Sequence, residues 1–336
     1  MSAGAALGVA VVGLGIGEQH ARVYAGLPEC TLRWLHDLDA NRAAKVAAML
    51  QQGCPAERFE TILADSAVDL VSVASYDDAH ATQVLAALEA GKHVFVEKPL
   101  CRSLDDLRAI KAAWAANDRH LASNLVLRAA PFYLALRSMI ETGELGEVYA
   151  FDGDYLYGRM EKITEGWRKD VAAYSVMQGG GIHLVDLMLW LTGQRPVAVT
   201  AAGNRIATAN TAFRYPDYVA ATFRFAAGSI GRITANFGCV HRHQHVVRVF
   251  GTRGSVIYDD TGARWHRGRE PHDTVERVEL SALPPDKGAL IPPFVQAIRA
   301  GKDMSAETQH ELDVVSACLA ADRALATGEQ VEVTYV

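Results

Sequence analysis

The first third of the chain alternates short, wholly apolar runs with longer amphipathic ones. Leu7-Gly8-Val9-Ala10-Val11-Val12 shows no polar alternation, as expected of a parallel strand covered on both faces. A helical stretch runs from the following glycines to about Gly26, and residues 31–36 form a second strand before a helix at 41–52. Residues 69–74 give a third strand, and a helix over 80–90 is stopped by Gly91. A strand over 92–96 comes next, then a helix to about Asn117 opened by the capping box of Ser103 and Asp106, then a sixth strand over 120–126. Strand and helix taken in turn predict an α/β Rossmann domain, a doubly wound parallel sheet, over residues 1–123.

After Asn124 the alternation stops. Pro131 starts a helix that ends at Gly143, and the later apolar runs have period two: 196–201, Tyr218–Phe225, 228–237 and 246–250, with a hairpin-like turn over 251–256. Strands in succession predict an α+β domain over 124–336 with a large, mostly antiparallel open sheet, closed by helices at 293–300 and 308–327. One face would pack on helices. The other, with Val, Ile and Phe alternating along its strands, would be covered by further copies of the chain, as a homodimer or homotetramer. Between these strands lies a helix whose buried stripe is Leu184, Leu187, Met188 and Leu191, ended by Gly193, with His183 and Asp186 together on a different face.

Composition narrows the class. At 336 residues and 50% hydrophobic, the chain is longer than one usual domain, and a net charge of −6 gives no footprint for nucleic acid. No run reaches the roughly 20 apolar residues that span a bilayer, so no membrane partner is expected. The five cysteines are scattered and form no Cys-x-x-Cys pair, against a disulfide framework or zinc ribbon and in keeping with a cytoplasmic location. His241, His243 and His245 share one face of an extended segment, yet no carboxylate or cysteine completes a ligand set nearby in sequence, and no metal is expected.

The chemistry begins at Gly13-Leu14-Gly15-Ile16-Gly17. Between a strand and a helix, such a turn lets backbone amides and the positive helix end meet a pyrophosphate. The usual spacing would place the third glycine at position 18, which holds Glu18; here glycine comes early, at Gly17. Asp37 ends the second strand roughly 20 residues further on, where a carboxylate accepts both hydroxyls of the adenine ribose. This favours NAD over NADP, whose phosphate it would repel, with Arg42 the nearest downstream residue able to compensate. Asp39 reads as the cap of the next helix. Lys98, in Glu97-Lys98-Pro99, closes a strand at the sheet edge where a doubly wound fold binds its ligand; read alone, the tripeptide equally fits a surface lysine before a helix-start proline. Trp167 and Arg168 offer a flat ring and a guanidinium for a sugar, with Tyr174 close by in sequence.

The run from Ala90 to Leu100, the turn Gly143-Glu144-Leu145-Gly146-Glu147-Val148 and the Gly179-Gly180-Gly181-Ile182-His183 segment together resemble the glucose-fructose oxidoreductase / inositol dehydrogenase (Gfo/Idh/MocA) family across nearly the whole length. The resemblance implies an NAD-dependent oxidoreductase moving a hydride between nicotinamide and a secondary alcohol or ketone of a sugar, inositol, sugar acid or nucleotide-sugar. It implies that Lys98 touches the substrate hydroxyl, that His183 contacts substrate, and that Ser75, His80 and Glu97 belong with Gly13, Gly15, Ile16, Gly17, Asp37 and Lys98 at the cofactor. Two departures stand out. Ser75-Tyr76 replaces the family's Thr-Pro, and Gly179 replaces the aspartate commonly found four residues before the histidine. The second puts the usual Asp-His pairing in question and leaves Asp186 either to orient His183 beside the substrate or to serve as a buried structural carboxylate. An NADP-dependent carbonyl reductase of the same fold and a non-catalytic nucleotide- or sugar-sensing relative are the alternatives.

Overall fold

The structure is a computed structural model and describes residues 6–270, 272–273 and 275–336. It divides into two units. The first comprises the described residues up to Val126 together with Pro285–Leu312 and Val336; the second comprises Leu127–Pro284 and Asp313–Tyr335. A single cut near residue 124 gives everything beyond it to the second domain, but 285–312 belongs to the first unit. The reason is packing: the helix Ile291–Ala300 buries Ile291, Phe294 and Val295 in the same core as Val9, Val11, Leu14, Tyr24 and Phe95.

The first unit runs β1 (Leu7–Val12), α1 (Gly17–Gly26), β2 (Cys30–His36), α2 (Ala40–Leu50), β3 (Cys54–Pro55), α3 (Phe59–Ala64), β4 (Leu70–Val73), α4 (His80–Glu89), β5 (His93–Val96), α5 (Leu104–Asn117) and β6 (Leu121–Ser123). All six strands are parallel, in the order β3-β2-β1-β4-β5-β6, so strand order reverses between β1 and β4. β4 is buried at every position, Leu70, Val71 and Val73 as apolar residues and Ser72 as a buried hydroxyl. The strand expected over 120–126 is cut to three residues because the chain tightens into a 3₁₀ turn at Val126–Ala129.

The second unit contains β7 (Val148–Leu156), β8 (Pro196–Asn204), β9 (Tyr218–Phe225), β10 (Ile230–Asn236), β11 (Gln244–Gly251), β12 (Ser255–Asp259), β13 (Gly262–His266), β14 (Val275–Val278) and β15 (Val331–Glu332), with α6 (Pro131–Glu141), α7 (Glu161–Thr164) and α8 (Ile182–Thr192). The nine strands lie in the order β14-β13-β12-β11-β7-β10-β9-β8-β15. Pairing is antiparallel except between β7 and β10, so the sheet is mixed. α8 lies against one face. A Cβ on Gly153 would come 3.1 Å from Leu184, and one on Gly231 would collide with the Met188 sulfur, so both glycines admit the helix closely. α8 is buried well beyond its expected stripe, at Ile182, Val185, Asp186 and Leu189 as well.

The opposite face differs from the apolar surface its strand pattern suggests. At its centre Asp154 accepts from Arg232 at 3.0 Å, Arg248 at 2.9 Å and the Thr234 hydroxyl at 2.9 Å, while Arg232 also reaches Asp152 at 3.3 Å. Burial works against the Asp154 charge, but the two guanidiniums outweigh it and hold the carboxyl below its usual range. Among the described residues no helix is long and apolar enough to cross a membrane, and all five cysteines are free thiols.

Candidate active site

The three glycines of the turn have three separate jobs. Gly13 sits at φ +82°, and a Cβ there would lie 2.5 Å from the Ser75 amide nitrogen, so only glycine lets the exit of β1 cross the end of β4. Gly15 faces open space, with nothing within 4 Å of its Cβ position. At Gly17 a Cβ would stand 3.0 Å from Ala74 and 3.1 Å from Val11, so glycine allows α1 to press onto the sheet. Helix packing, which the usual spacing assigns to position 18, is done one residue earlier. Ile16 precedes the first turn of α1 with no side-chain cap on the helix amides. The result is a backbone cradle of the kind a pyrophosphate fills.

Asp37 stands at the exit of β2. One carboxylate oxygen accepts from the Leu14 amide at 2.6 Å, the other from the Asp39 amide at 2.9 Å, and Arg42 lies 3.5 Å away. The same side chain that would meet a ribose therefore also braces the glycine turn. Asp39 accepts from the Asn41 amide and caps α2, as its position predicts.

Behind Lys98 lies a buried polar cluster. Glu97 Oε1 is 3.2 Å from His20 Nε2 and accepts from Asn124 Nδ2 at 2.7 Å. His20 is fully buried, with Nδ1 3.1 Å from the Ser72 hydroxyl; Asn124 also donates to the Lys287 carbonyl at 2.7 Å. Burial disfavours the Glu97 charge, but the hydrogen bond and field of His20, the Lys98 ammonium and the Asn124 amide prevail and hold its pKa at about 2. His80, also fully buried, places Nδ1 2.7 Å from the Pro99 carbonyl and Nε2 3.2 Å from the Ser75 carbonyl, tying the end of β4 to the loop after Lys98. Ser75 gives its hydroxyl to Gln83 at 2.6 Å. Glu97 and His80, expected at the cofactor, thus support the loops that would meet it. His20 and Asn124 escaped the sequence reading; the available signal was a histidine on the face of α1 that carries the core residues Ala21 and Tyr24.

In the second unit His183 opens α8. Its ring stacks on Tyr155 with centroids 6.3 Å apart and meets His245 edge-on at 6.0 Å. Asp186, expected near substrate, is fully buried, and its carboxylate takes a bidentate grip from Arg128, Nη2 to Oδ1 at 2.6 Å and Nε to Oδ2 at 3.0 Å. Such a bidentate pair is one a buried structural carboxylate makes. Trp167, Arg168 and Tyr174 do come together: the Arg168 guanidinium lies 4.4 Å over the Trp167 ring, and its Nε donates to the Tyr174 hydroxyl at 3.1 Å. Of the three histidines of 241–245, His243 and His245 stay together, their rings edge to face with centroids 4.9 Å apart, and His241 turns away. His241 pairs with Asp260 at 3.0 Å, whereas His243 Nδ1 lies 3.1 Å from the Leu156 carbonyl and its ring meets Tyr155.

A doubly wound parallel sheet with open space at Gly15 of its glycine turn is the frame of a dinucleotide-binding domain. Residues 7–125 match the oxidoreductase family with an NAD-binding Rossmann fold, and residues 133–257 match the Gfo/Idh/MocA C-terminal domain. The chain belongs to the Gfo/Idh/MocA family of NAD-binding oxidoreductases. It is 28% identical to an inositol 2-dehydrogenase of Klebsiella pneumoniae over 74% of this chain and 72% of that protein. It is also 28% identical to the 1,5-anhydro-D-fructose reductase of Ensifer adhaerens over 88% of each. The crystal structure of GenD2 from gentamicin A biosynthesis, in complex with NAD, superposes with a TM-score of 0.84 at 27% identity, covering 99% of this chain and 98% of that one.

Proposed function

We propose that the protein oxidises a secondary alcohol of a sugar or polyol, or reduces the matching ketone, with Lys98 and His183 as its acid/base pair. The observation that carries this is the glycine turn: Gly15 leaves room for a ligand at the carboxyl end of β1, in the sheet whose strand β5 leads into Lys98. NAD, when bound, accepts the hydride from the carbinol carbon. A cationic Lys98 lowers the alcohol's pKa and, in reverse, polarises the carbonyl, with His183 taking the hydroxyl proton; a Lys98 that is neutral when the alcohol binds takes that proton itself. The inositol, anhydrofructose and gentamicin-pathway names of the relatives support a polyhydroxylated ring as substrate. A panel of sugars, inositols, sugar acids and nucleotide-sugars followed by NADH absorbance tests the reading. Tight NADH binding with no turnover across the panel would point instead to a sensing relative.

Asp37→Ala is expected to weaken NAD binding by about 1–3 kcal/mol, the scale of losing hydrogen bonds to a charged acceptor. Titration of NADH fluorescence measures it, and a wild-type chain that prefers NADPH would reject the role given to Asp37.

The same proposal includes subunit association through the open face of the nine-stranded sheet, where half-exposed Ile230 flanks the Asp152–Arg232–Asp154–Arg248 lattice. Sedimentation is expected to show a dimer or tetramer, and only monomer at micromolar concentration would refute the placement. The five free thiols fit the reducing, cytoplasmic setting that this reading includes.

A further inference from the structure

The glycine run before His183 is shaped around aromatic side chains. Met177–Gly181 forms a π-helical turn that leads directly into α8, and all five of its residues are buried. A Cβ on Gly180 would run into the Tyr155 ring, and one on Gly179 would collide with the Tyr174 hydroxyl. The space that a side chain at 179 would enter is therefore filled by a phenol. That phenol is fixed from two sides. Arg168 Nε donates to its oxygen at 3.1 Å, and its ring packs edge-on against Phe213 and Phe237, with centroids 5.9 and 6.5 Å apart. Phe237 in turn stacks on Tyr155, the residue on which His183 stacks.

Residues 179 and 183 are about one turn apart on a continuous helical segment, so side chains at the two positions share a face. A polar group at the Cβ position of 179 lies one turn before His183 on that face. In this chain the polar group comes from Tyr174.

We propose that Tyr174 is a positioning residue for His183, its hydroxyl held by Arg168 over the bare backbone of Gly179 and doing there what a polar side chain at 179 would do. This rests on the reading that His183 takes part in alcohol oxidation. The exchange has a chemical consequence. A carboxylate at this place would bring a negative charge and only accept hydrogen bonds, whereas a phenol is neutral, accepts from the guanidinium and has a proton of its own to donate. Gly179 follows from the arrangement, because any side chain there would displace the phenol.

The test uses four variants of the full chain, with melting temperature, NADH affinity and NAD-dependent turnover measured on each. Tyr174→Phe keeps the ring and loses only the hydroxyl. It is expected to keep the wild-type melting temperature and NADH affinity while kcat falls about a hundredfold, the scale of a misplaced reacting group, with KM changed far less. Gly179→Ala is expected to lower the melting temperature by pushing on the phenol. Tyr174→Ala should lose turnover, and the double variant Tyr174→Ala/Gly179→Asp should recover at least about tenfold of it by returning a polar group to the same space. Tyr174→Phe turning over within twofold of wild type would overturn the proposal, as would a double variant no faster than Tyr174→Ala. A wild-type protein that binds NADH but oxidises nothing would instead remove the proposed function. In that case the melting temperature of Gly179→Ala still decides the place of the phenol, since an unchanged value would show that Tyr174 does not fill it.

Discussion

Lys98→Ala is expected to bind NADH nearly as well as the wild type and to lose about a hundred- to ten-thousand-fold in kcat, the usual cost of removing a positioned acid/base. The separation of the two readouts follows from where the residue sits. The pyrophosphate cradle is built from Gly13, Gly15 and Gly17 and braced by Asp37, none of which depends on the lysine side chain. Lys98 instead follows β5 by two residues, next to Glu97, whose carboxylate is already held by His20 and Asn124, so the ammonium is presented from a fixed base. Steady-state kinetics beside a direct binding titration measures both quantities. A variant keeping more than about a tenth of wild-type turnover would mean that the lysine is not the group this chemistry requires.

Arg128→Ala is expected to destabilise the second unit by about 3–5 kcal/mol, because it strands the fully buried Asp186 carboxylate without its bidentate partner. Replacing both ends together, as Arg128→Met with Asp186→Leu, should recover most of that loss, since the penalty comes from burying the carboxylate charge without its guanidinium more than from the missing attraction. Urea denaturation followed by circular dichroism gives the comparison. A loss below about 1 kcal/mol for Arg128→Ala would show that Asp186 is neutral or reaches water, and the structural role assigned to it would fall.

How legible these features were depended on distance along the chain. β1 and β5 could be read from their own residues, because a strand buried on both faces writes its burial as an uninterrupted apolar run. The edge elements could not. β3 has two residues, and β14 reads Val-Glu-Arg-Val with little buried, so neither leaves a periodic mark. The same division runs through the candidate site. The glycine turn, Asp37 and Lys98 are local signals at fixed spacing, and their placement follows from strand, turn and helix in order. His20 meets Glu97 across 77 positions, and Arg128 meets Asp186 across 58, and no spacing rule foretells either. Asp186 shows the cost: one turn from His183 on α8 it read equally as a group orienting the histidine and as a buried structural carboxylate, and nothing near it in sequence points to the grip of Arg128. The polar lattice on the sheet face was hidden for a related reason. Aspartates and arginines at alternate strand positions look merely solvated until β7, β10 and β11 are laid side by side.

The return of residues 285–312 to the first unit bears on how the protein is made. A ribosome releases the nucleotide-binding strands early, but Ile291, Phe294 and Val295, which complete the core over Leu14 and Tyr24, emerge only after β7 to β14, all of the nine-stranded sheet but β15, have been synthesised. Until then the nascent Rossmann sheet has an uncovered apolar flank and depends on contacts of very long sequence separation, the slow and aggregation-exposed regime of folding. An expression fragment ending near residue 126 would carry that flank permanently, so the nucleotide-binding unit is best obtained as the whole chain or with the 285–312 segment rejoined to it.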